Sequence, residues 1–509
     1  MNDLAIVSTI FVIVDYVIKI VAIGVVPENR RPSSSTAWLL LILFLPIVGV
    51  PLFLLIGSPY INRRRARIQA QANRLLAQGT ESVPPAPESA LLPPDLAGVV
   101  ELSRALTSLP MVTGINRGVL MDYEESIDRM TRLVEGARES VHVEIYIMAR
   151  DAATEGFFRA LEAAARRGVK VRVLLDHLGS RKYPGFRRFL RSMTDAGIDW
   201  HLMLPFLPLQ RKMRRIDLRN HRKLLVVDGV AAVLGSLNMI EATYGSKRNR
   251  EIGRRWNDIT VELRDEIVSS IEAVFAVDWY TECGELVPVH AYREALDAVG
   301  SDADPDAEAG LLLPAVHGPD GDVGGAVNAV QLIPSGPGFR TDPNLRVFTS
   351  LMYLARRRLA IVSPYFVPDE SLLAAITTAA HRGVRVELYV SEVADQFMVD
   401  RAQSSYYQAL LEAGVRILRY PAPEVLHTKC FLVDDECAVL GSSNMDMRSF
   451  GLNYEISLLA YGGDLVTQVR DLIADYEARS TGLDLDDWNS RSLLRRYTES
   501  VMRLTSAIQ

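Results

Sequence analysis

Three cysteines in 509 residues are too few for a disulfide framework. Cys283, Cys430 and Cys437 are also too scattered for a cysteine-based zinc site. Reduced thiols fit a domain that faces the cytosol. The net charge of −6 gives no global attraction for polyanions, and no nucleic-acid partner is expected. The first residues, "MND", lack the basic stretch that opens a cleaved signal peptide. No carboxylate cluster has convincing metal-ligand spacing, so neither a metal nor another cofactor is expected.

What the chain does have begins at its N-terminus. Residues 4–26 and 37–57 are mostly apolar runs, each long enough to span a bilayer. They read as a membrane hairpin within residues 1–67. Asp15 and Lys19 interrupt the first run, where charge is costly, but their spacing lets them pair. Pro46 and Pro51 interrupt the second, which predicts a kink or a re-entrant turn. "NRRRARIQ" then carries more arginine than the loop between the runs, which predicts that everything downstream is cytoplasmic. Local basic clusters occur at 211–223, 247–255 and 356–358; the ordinary reading of such runs is a solvated face.

Residues 68–117 read as a linker, with turn-rich "SVPPAPES" and "LLPPD". Residues 301–328, rich in Gly, Pro and Asp, read as a connecting loop. The segments on either side, 118–300 and 329–509, resemble each other. "VHVEIYIMARD" and "RRGVKVRVLLD" in the first match "LAIVSPYFVPD" and "HRGVRVELYVS" in the second. Each pair predicts strand, amphipathic helix, glycine stop and strand, a right-handed βαβ unit in an α/β fold.

A second pair of matches carries chemistry. "HRKLLVVDGVAAVLGSLNM" (221–239) and "HTKCFLVDDECAVLGSSNM" (427–445) keep His, Lys, Asp, Gly, Ser and Asn at identical offsets. Each predicts a hairpin, closed at Asp228-Gly229 or Asp434-Asp435, that pairs His221 with Ser236 and His427 with Ser442. The hairpin mouth then gathers His221, Lys223, Ser236 and Asn238, or His427, Lys429, Ser442 and Asn444. One base or nucleophile with several donors suits a phosphoryl oxygen, so the serines and asparagines are candidate phosphate-binding groups. Asp228 lies seven residues beyond His221, roughly 23 Å along an extended strand, and cannot touch it. It reads as a turn or salt-bridge residue. Glu251 in "NREI" and Glu455 in "NYEI" are the candidate carboxylates to orient the histidines.

One such strand alone would pass for a surface feature. Packing gives no reason to keep His, Lys and Asn at strand ends in two copies. Two histidines also suit displacement at a phosphodiester: one imidazole attacks phosphorus, and the other protonates the leaving oxygen.

At these residues the chain resembles the phospholipase D superfamily, with its two H-x-K-x4-D motifs. The apolar leader, "SGPG" (335–338), "SPYFVPD" (363–369) and "DMRSFGLNYEISLL" (446–459) are similar to bacterial cardiolipin synthases. The resemblance implies two phospholipase D-like repeats, each a mixed sheet flanked by helices, related by a pseudo-two-fold axis. It implies a catalytic set of His221, Lys223, Asp228, His427, Lys429 and Asp434. It implies a phosphatidyl transfer between two phosphatidylglycerol molecules at a lipid bilayer, and with it a functional reading of the basic clusters, that at 211–223 foremost. By analogy with two-motif relatives, His221 is favoured as the nucleophile. A phospholipase D, a phosphatidylserine synthase or an inactive lipid-binding scaffold are the alternatives.

Overall fold

The computed structural model describes the chain except residues 1, 29–31, 58–66, scattered positions between 72 and 82, and 208–211, 214, 288, 290–325, 340 and 504–509. The predicted connection at 301–328 therefore lies almost wholly outside the described residues. The chain divides into two units: Met1–Arg67 with Phe206–Leu218, and Ile68–Pro205 with Arg219–Gln509.

In the first unit, Asn2–Val25 is one helix whose apolar side chains are largely exposed, as contact with lipid requires. Lys19 and Asp15 pair at 2.7 Å. The second apolar run is not one spanning helix. It forms Pro32–Phe44, then Pro46–Leu52, then a π-turn at Phe53–Gly57. Pro46 is the cause: Leu45, held before a proline, leaves helical geometry at φ −134° and ψ 64°. The chain then folds back, and a Cβ on Gly49 would meet the Ile42 Cα at 2.8 Å. Among the described residues, only Asn2–Val25 is long and apolar enough to cross a membrane.

In the second unit, sixteen strands join one continuous sheet. From its middle outward, the first half runs Met111–Leu120, Thr260–Arg264, Ala231–Gly235, Lys223–Val227, Ser140–Ile145, Lys170–Asp176 and Asp199–Met203. The second half repeats that order as Val327–Ser335, Asn453–Tyr461, Cys437–Gly441, Cys430–Val433, Arg358–Val362, Arg385–Ser391 and Arg416–Tyr420. In each half the first four pairings are antiparallel and the last two parallel. The halves meet edge to edge through Met111–Leu120 and Val327–Ser335.

Both predicted βαβ units form, with Glu155–Arg166 and Glu370–His381 as their helices. Each helix ends near a glycine with positive φ, Gly168 or Gly383, where a side chain would be strained. Alternate strand residues fill one core per half, Val141, Val143 and Ile145 in the first and Leu359 and Ile361 in the second. The stretch expected as a linker contributes to this fold. Pro94–Thr107 is a helix, and Leu96, Val99 and Val100 lie in the core of the second half. Pro94 at its first turn starts a helix, where "LLPPD" had suggested only a turn.

Candidate active site

Each hairpin turn forms where the residues predict it. Val230 N–H donates to Val227 O at 3.1 Å, and Asp228 and Gly229 both take positive φ. The ladder then resumes one residue later than expected, with Val227 opposite Ala231 and Val433 opposite Cys437. The expected pairings of His221 with Ser236 and His427 with Ser442 are therefore off by one. A residue is bulged out after each turn.

The aspartates at the turns hold the hairpins in the sheet. Asp228 accepts the backbone N–H groups of Arg138, Glu139 and Ser140 at 2.8–2.9 Å. Asp434 does the same for Arg356, Arg357 and Arg358 at 2.7–3.2 Å. Neither touches a histidine.

At the other end, each histidine is held by the opposite half. Arg219–Asn220 pairs in parallel with Asn453–Tyr454, and His221 N–H donates to Tyr454 O at 2.8 Å. Val425–Leu426 pairs with Trp256–Asn257, and His427 N–H donates to Asn257 O at 2.8 Å. The side chains follow the same exchange. His221 Nδ1 lies 3.0 Å from Glu455 Oε2 and 3.1 Å from the Ser442 carbonyl. His427 Nδ1 lies 2.6 Å from Asp258 Oδ1. Both neighbours of His221 Nδ1 are acceptors, so that nitrogen carries the proton and Nε2 keeps its lone pair.

Glu455 is thus where the sequence put it, against a histidine, but that histidine belongs to the other repeat. Glu251 is not in the site. It ends the exposed helix Lys247–Glu251 and pairs with Lys247 at 3.7 Å. The residue in the position equivalent to Glu455 is Asp258, which the sequence reading missed. Strand pairing sets the equivalence, because Thr260 faces Gly235 as Ser457 faces Gly441. The first copy is nine residues longer between those points, so matching "NREI" to "NYEI" gave the wrong acid. "NDI" beside "YEI" was the available signal.

The serines are engaged as well. Ser236 Oγ donates to Asp258 Oδ1 at 2.6 Å and accepts from Ile259 N at 3.0 Å. Ser442 Oγ donates to Glu455 Oε2 at 2.5 Å and accepts from Ile456 N at 2.9 Å. A hydroxyl has one proton to give, and here a carboxylate takes it. That arrangement corrects the expectation that these serines bind phosphate. The glycine before each serine lets the two strands meet. A Cβ would come within 2.1 Å of Ile259 O at Gly235 and 2.3 Å of Ile456 O at Gly441. Asn238 donates to Tyr244 Oη at 2.8 Å, while buried Asn444 Oδ1 has no hydrogen-bond partner among the described residues.

Lys223 and Lys429 are buried, and each ammonium donates to the carbonyl of the histidine two residues before it. Burial brings Lys223 down to about 7 and Lys429 to about 8, against the pull of Glu455 and Asp258. Burial, then Lys223, Lys429 and His427, pushes His221 well below its usual 6.5. Burial also lowers His427, with Asp258 working the other way. Burial raises Glu455 to about 7 despite Lys223 and Ser442. At Asp258 burial is outweighed by His427 and Lys429, and the carboxyl sits below its ordinary range. Tyrosine rings line the pair: Tyr146 stands edge-on to His221 at 5.0 Å, and Tyr244 and Tyr365 to His427 at 6.4 Å.

The basic clusters divide. In 211–223, Arg219 is buried against Asp176 at 3.1 Å, and Arg222 is buried against Asp278. The other two are mainly solvated, with Arg250 on Glu241, Arg255 on Glu124, Arg356 on Asp95 and Arg357 on Glu436, but Arg358 turns inward onto buried Glu387 at 3.0 Å. Among the described residues, no three His, Cys, Asp or Glu side chains gather as a metal site.

A duplicated sheet with two carboxylate-held imidazoles and two desolvated ammonium groups defines a class of phosphoryl-transfer protein of the phospholipase D type. Comparison with known proteins narrows it. Residues 130–279 and 348–476 match the family described as cardiolipin synthase, PLD-like domain, and residues 7–58 match the phospholipase D-nuclease N-terminal family. Cardiolipin synthase of Geobacillus kaustophilus is 32% identical over 492 residues, 96% of this chain and 91% of its own length. Cardiolipin synthase A of Yersinia pseudotuberculosis is 32% identical over 507 residues, 96% of this chain and 95% of its own. A phosphatidylserine synthase structure from Haemophilus influenzae shares the fold at a TM-score of 0.59 and 16% identity, over 80% of this chain and 99% of its own. The chain belongs to the cardiolipin synthase family of membrane-associated phosphatidyltransferases.

Proposed function

We propose that the protein condenses two phosphatidylglycerol molecules into cardiolipin and glycerol through a phosphatidyl-histidine. The observation that carries this reading is the pair of exchanged contacts, His221 on Glu455 and His427 on Asp258. His221 Nε2 attacks phosphorus of the first lipid, and the bond from phosphorus to the glycerol headgroup oxygen breaks. His427, whose protonated form is favoured by ionised Asp258 and by the bound phosphodiester anion, gives its proton to that oxygen. Neutral His427 then takes the proton from a headgroup hydroxyl of the second lipid. The freed oxygen attacks phosphorus, and the nitrogen–phosphorus bond breaks. Lys223 and Lys429 offset the negative charge of the five-coordinate phosphorus. Asn444, with an uncommitted buried oxygen, is a further polar group for the headgroup. Asp228 and Asp434 support the hairpins and move no proton.

The assignment of His221 as nucleophile rests on a contrast: burial and three neighbouring cations push His221 well below 6.5, while at His427 Asp258 works against the lowering. The test is product analysis with purified protein and labelled phosphatidylglycerol, alone and with competing alcohols. Cardiolipin and glycerol in equal amounts are expected. Phosphatidic acid or a phosphatidyl-alcohol as the main product would assign a different acceptor. We also propose that the catalytic unit is cytoplasmic, on the arginines after residue 57. Labelling of Leu286→Cys from outside intact cells, in a chain lacking Cys283, would refute that orientation.

A further inference from the structure

The two halves differ just past the strands Lys170–Asp176 and Arg385–Ser391. Asn220 N–H donates to Asp176 Oδ2 at the end of the first, and Leu426 N–H donates to Ser391 Oγ at the end of the second, so these two positions are equivalent. Four residues on, the first half has Ser180. It is buried and its hydroxyl is spent on the fold: Oγ accepts from Met148 N–H at 3.0 Å and donates to Tyr146 O at 3.2 Å. Four residues on in the second half stands Asp395, half-buried. A carboxylate thus occupies this position in one half only. That half carries His427, which protonates the leaving glycerol in the proposed reaction.

Asp395 is held beside the site with most of its accepting capacity unused. Among the described residues, the Tyr365 hydroxyl is its hydrogen-bond donor, at 2.9 Å from Oδ2 and 3.1 Å from Oδ1. A carboxylate has about four acceptor positions, and one hydroxyl does not fill them. Gln396 Nε2 donates to the same phenol oxygen at 3.0 Å, which fixes Tyr365 from its other side. The Tyr365 ring stands edge-on to His427 at 6.4 Å. The charge of Asp395 acts on Lys182 of the first half, and on Tyr244 and Lys429 near His427. It therefore borders the space where the two halves present their histidines.

We propose that Asp395 binds the free hydroxyls of the glycerol headgroup, and so selects a polyol over a simple alcohol as leaving group and acceptor. The inference rests on the proposed phosphatidylglycerol reaction and deepens it. A hydroxyl both gives and takes a hydrogen bond. Asp395 can take one. Tyr244, whose oxygen accepts from Asn238 at 2.8 Å, keeps its own proton to give among the described residues. A diol can also reach both carboxylate oxygens at once. An ammonium group can only give, and it would add a cation beside Lys182 and Lys429, whose charges Asp395 already answers. The site therefore favours a neutral polyol over an amino alcohol. Tyr365 acts through Asp395 and is a positioning residue.

The test uses the full chain in phosphatidylglycerol vesicles, with labelled glycerol and 1-propanol competing as acceptors. The readout is the ratio of label exchanged into phosphatidylglycerol to phosphatidylpropanol formed. A structural fault slows both products alike, whereas loss of a hydroxyl-binding group changes their ratio. Asp395→Ala is expected to lower the ratio about ten- to a hundred-fold, the worth of hydrogen bonds to a charged group. Asp395→Asn, of the same shape, gives the same comparison with a smaller drop should the alanine variant not fold. Tyr365→Phe, which keeps the ring and releases the carboxylate, should lower the ratio about three-fold. An unchanged ratio in the Asp395 variants would overturn the inference, however far both rates fall. So would a larger loss of ethanolamine capture than of glycerol capture, which would make Asp395 an ammonium site. Unsubstituted protein that exchanges glycerol but forms no cardiolipin would defeat the proposed condensation, and the ratio would still decide the role of Asp395.

Discussion

The two repeats share a strand order, a hairpin and a turn aspartate, yet their acids differ. The first copy supplies Asp258 and the second Glu455, and each serves the other copy's histidine. Asp258 is held below its normal range by His427 and Lys429, while burial lifts Glu455 to about 7. The second copy also carries Asp446, buried and raised to about 6, where the first has Ile240. A duplicated scaffold has thus given two imidazoles unequal surroundings. Paired titratable groups pushed apart in this way are how one site holds a base and an acid together. Neither repeat contains a complete histidine–carboxylate pair, so neither is a working half.

The sharpest break of this comparison separates the histidines by role. His221→Asn and His427→Asn are each expected to lower cardiolipin formation by roughly 10³-fold or more. They should diverge on a phosphatidyl ester with a nitrophenol leaving group, which needs no proton. His427→Asn should release nitrophenol in a burst and leave lipid covalently on the protein; His221→Asn should do neither. The reverse pattern would exchange the roles.

The carboxylates come next. Asp258→Asn removes an ionised partner and is expected to cost roughly 10²–10⁴-fold in kcat, as expected when a histidine loses its orienting acid. Glu455, closer to half-protonated at neutral pH, should cost roughly ten-fold as Glu455→Gln. Glu251→Ala, out on its exposed helix, should change nothing. Equal losses for Asp258→Asn and Glu455→Gln would remove the asymmetry on which the roles rest.

How much of this could be read from the residues follows from how local each signal is. The hairpin turns were legible because Asp228-Gly229 and Asp434-Asp435 specify positive φ over two residues. The βαβ units were legible because the helix and its glycine stop are contiguous in sequence. The ladder register was missed by one, because a bulge after a tight turn leaves no mark in alternating Val, Ala and Leu. Asp258 was missed for a different reason. It meets His427 across 169 residues, as Glu455 meets His221 across 234, and nothing in the sequence links partners so far apart. The nine-residue excess of the first copy then aligned the wrong acid. The serines misled because a hydroxyl that binds phosphate and one that holds a carboxylate look alike in sequence.

The two lysines give a smaller, pH-dependent contrast. In the free protein Lys223 lies at about 7 and Lys429 at about 8, so both are charged below pH 7 and lose protons in that order above it. A bound phosphodiester stabilises both ammonium forms and moves them upward. The profile of kcat/KM, which reports the free protein, should therefore fall as pH rises through about 7–8, several-fold over that range. That of kcat, which reports the complex, should hold to higher pH. Coincident basic limbs would mean that the lysines do not sense the substrate's charge.

The smallest effect on chemistry is expected at the turn aspartates, where both copies behave alike. Asp228 and Asp434 each accept three backbone N–H groups that tie the turn to the loop leading into the next strand. Asparagine keeps the shape but turns a charged acceptor into a neutral one, and its NH₂ cannot accept. Either substitution should lower stability by about 1–3 kcal/mol. Turnover per folded molecule should stay within about three-fold, because the turn lies at the far end of the hairpin from the histidine. Denaturant unfolding followed by kcat on the folded fraction separates the two quantities. A loss of kcat rivalling that of Asp258→Asn, with stability unchanged, would return these aspartates to the reaction itself.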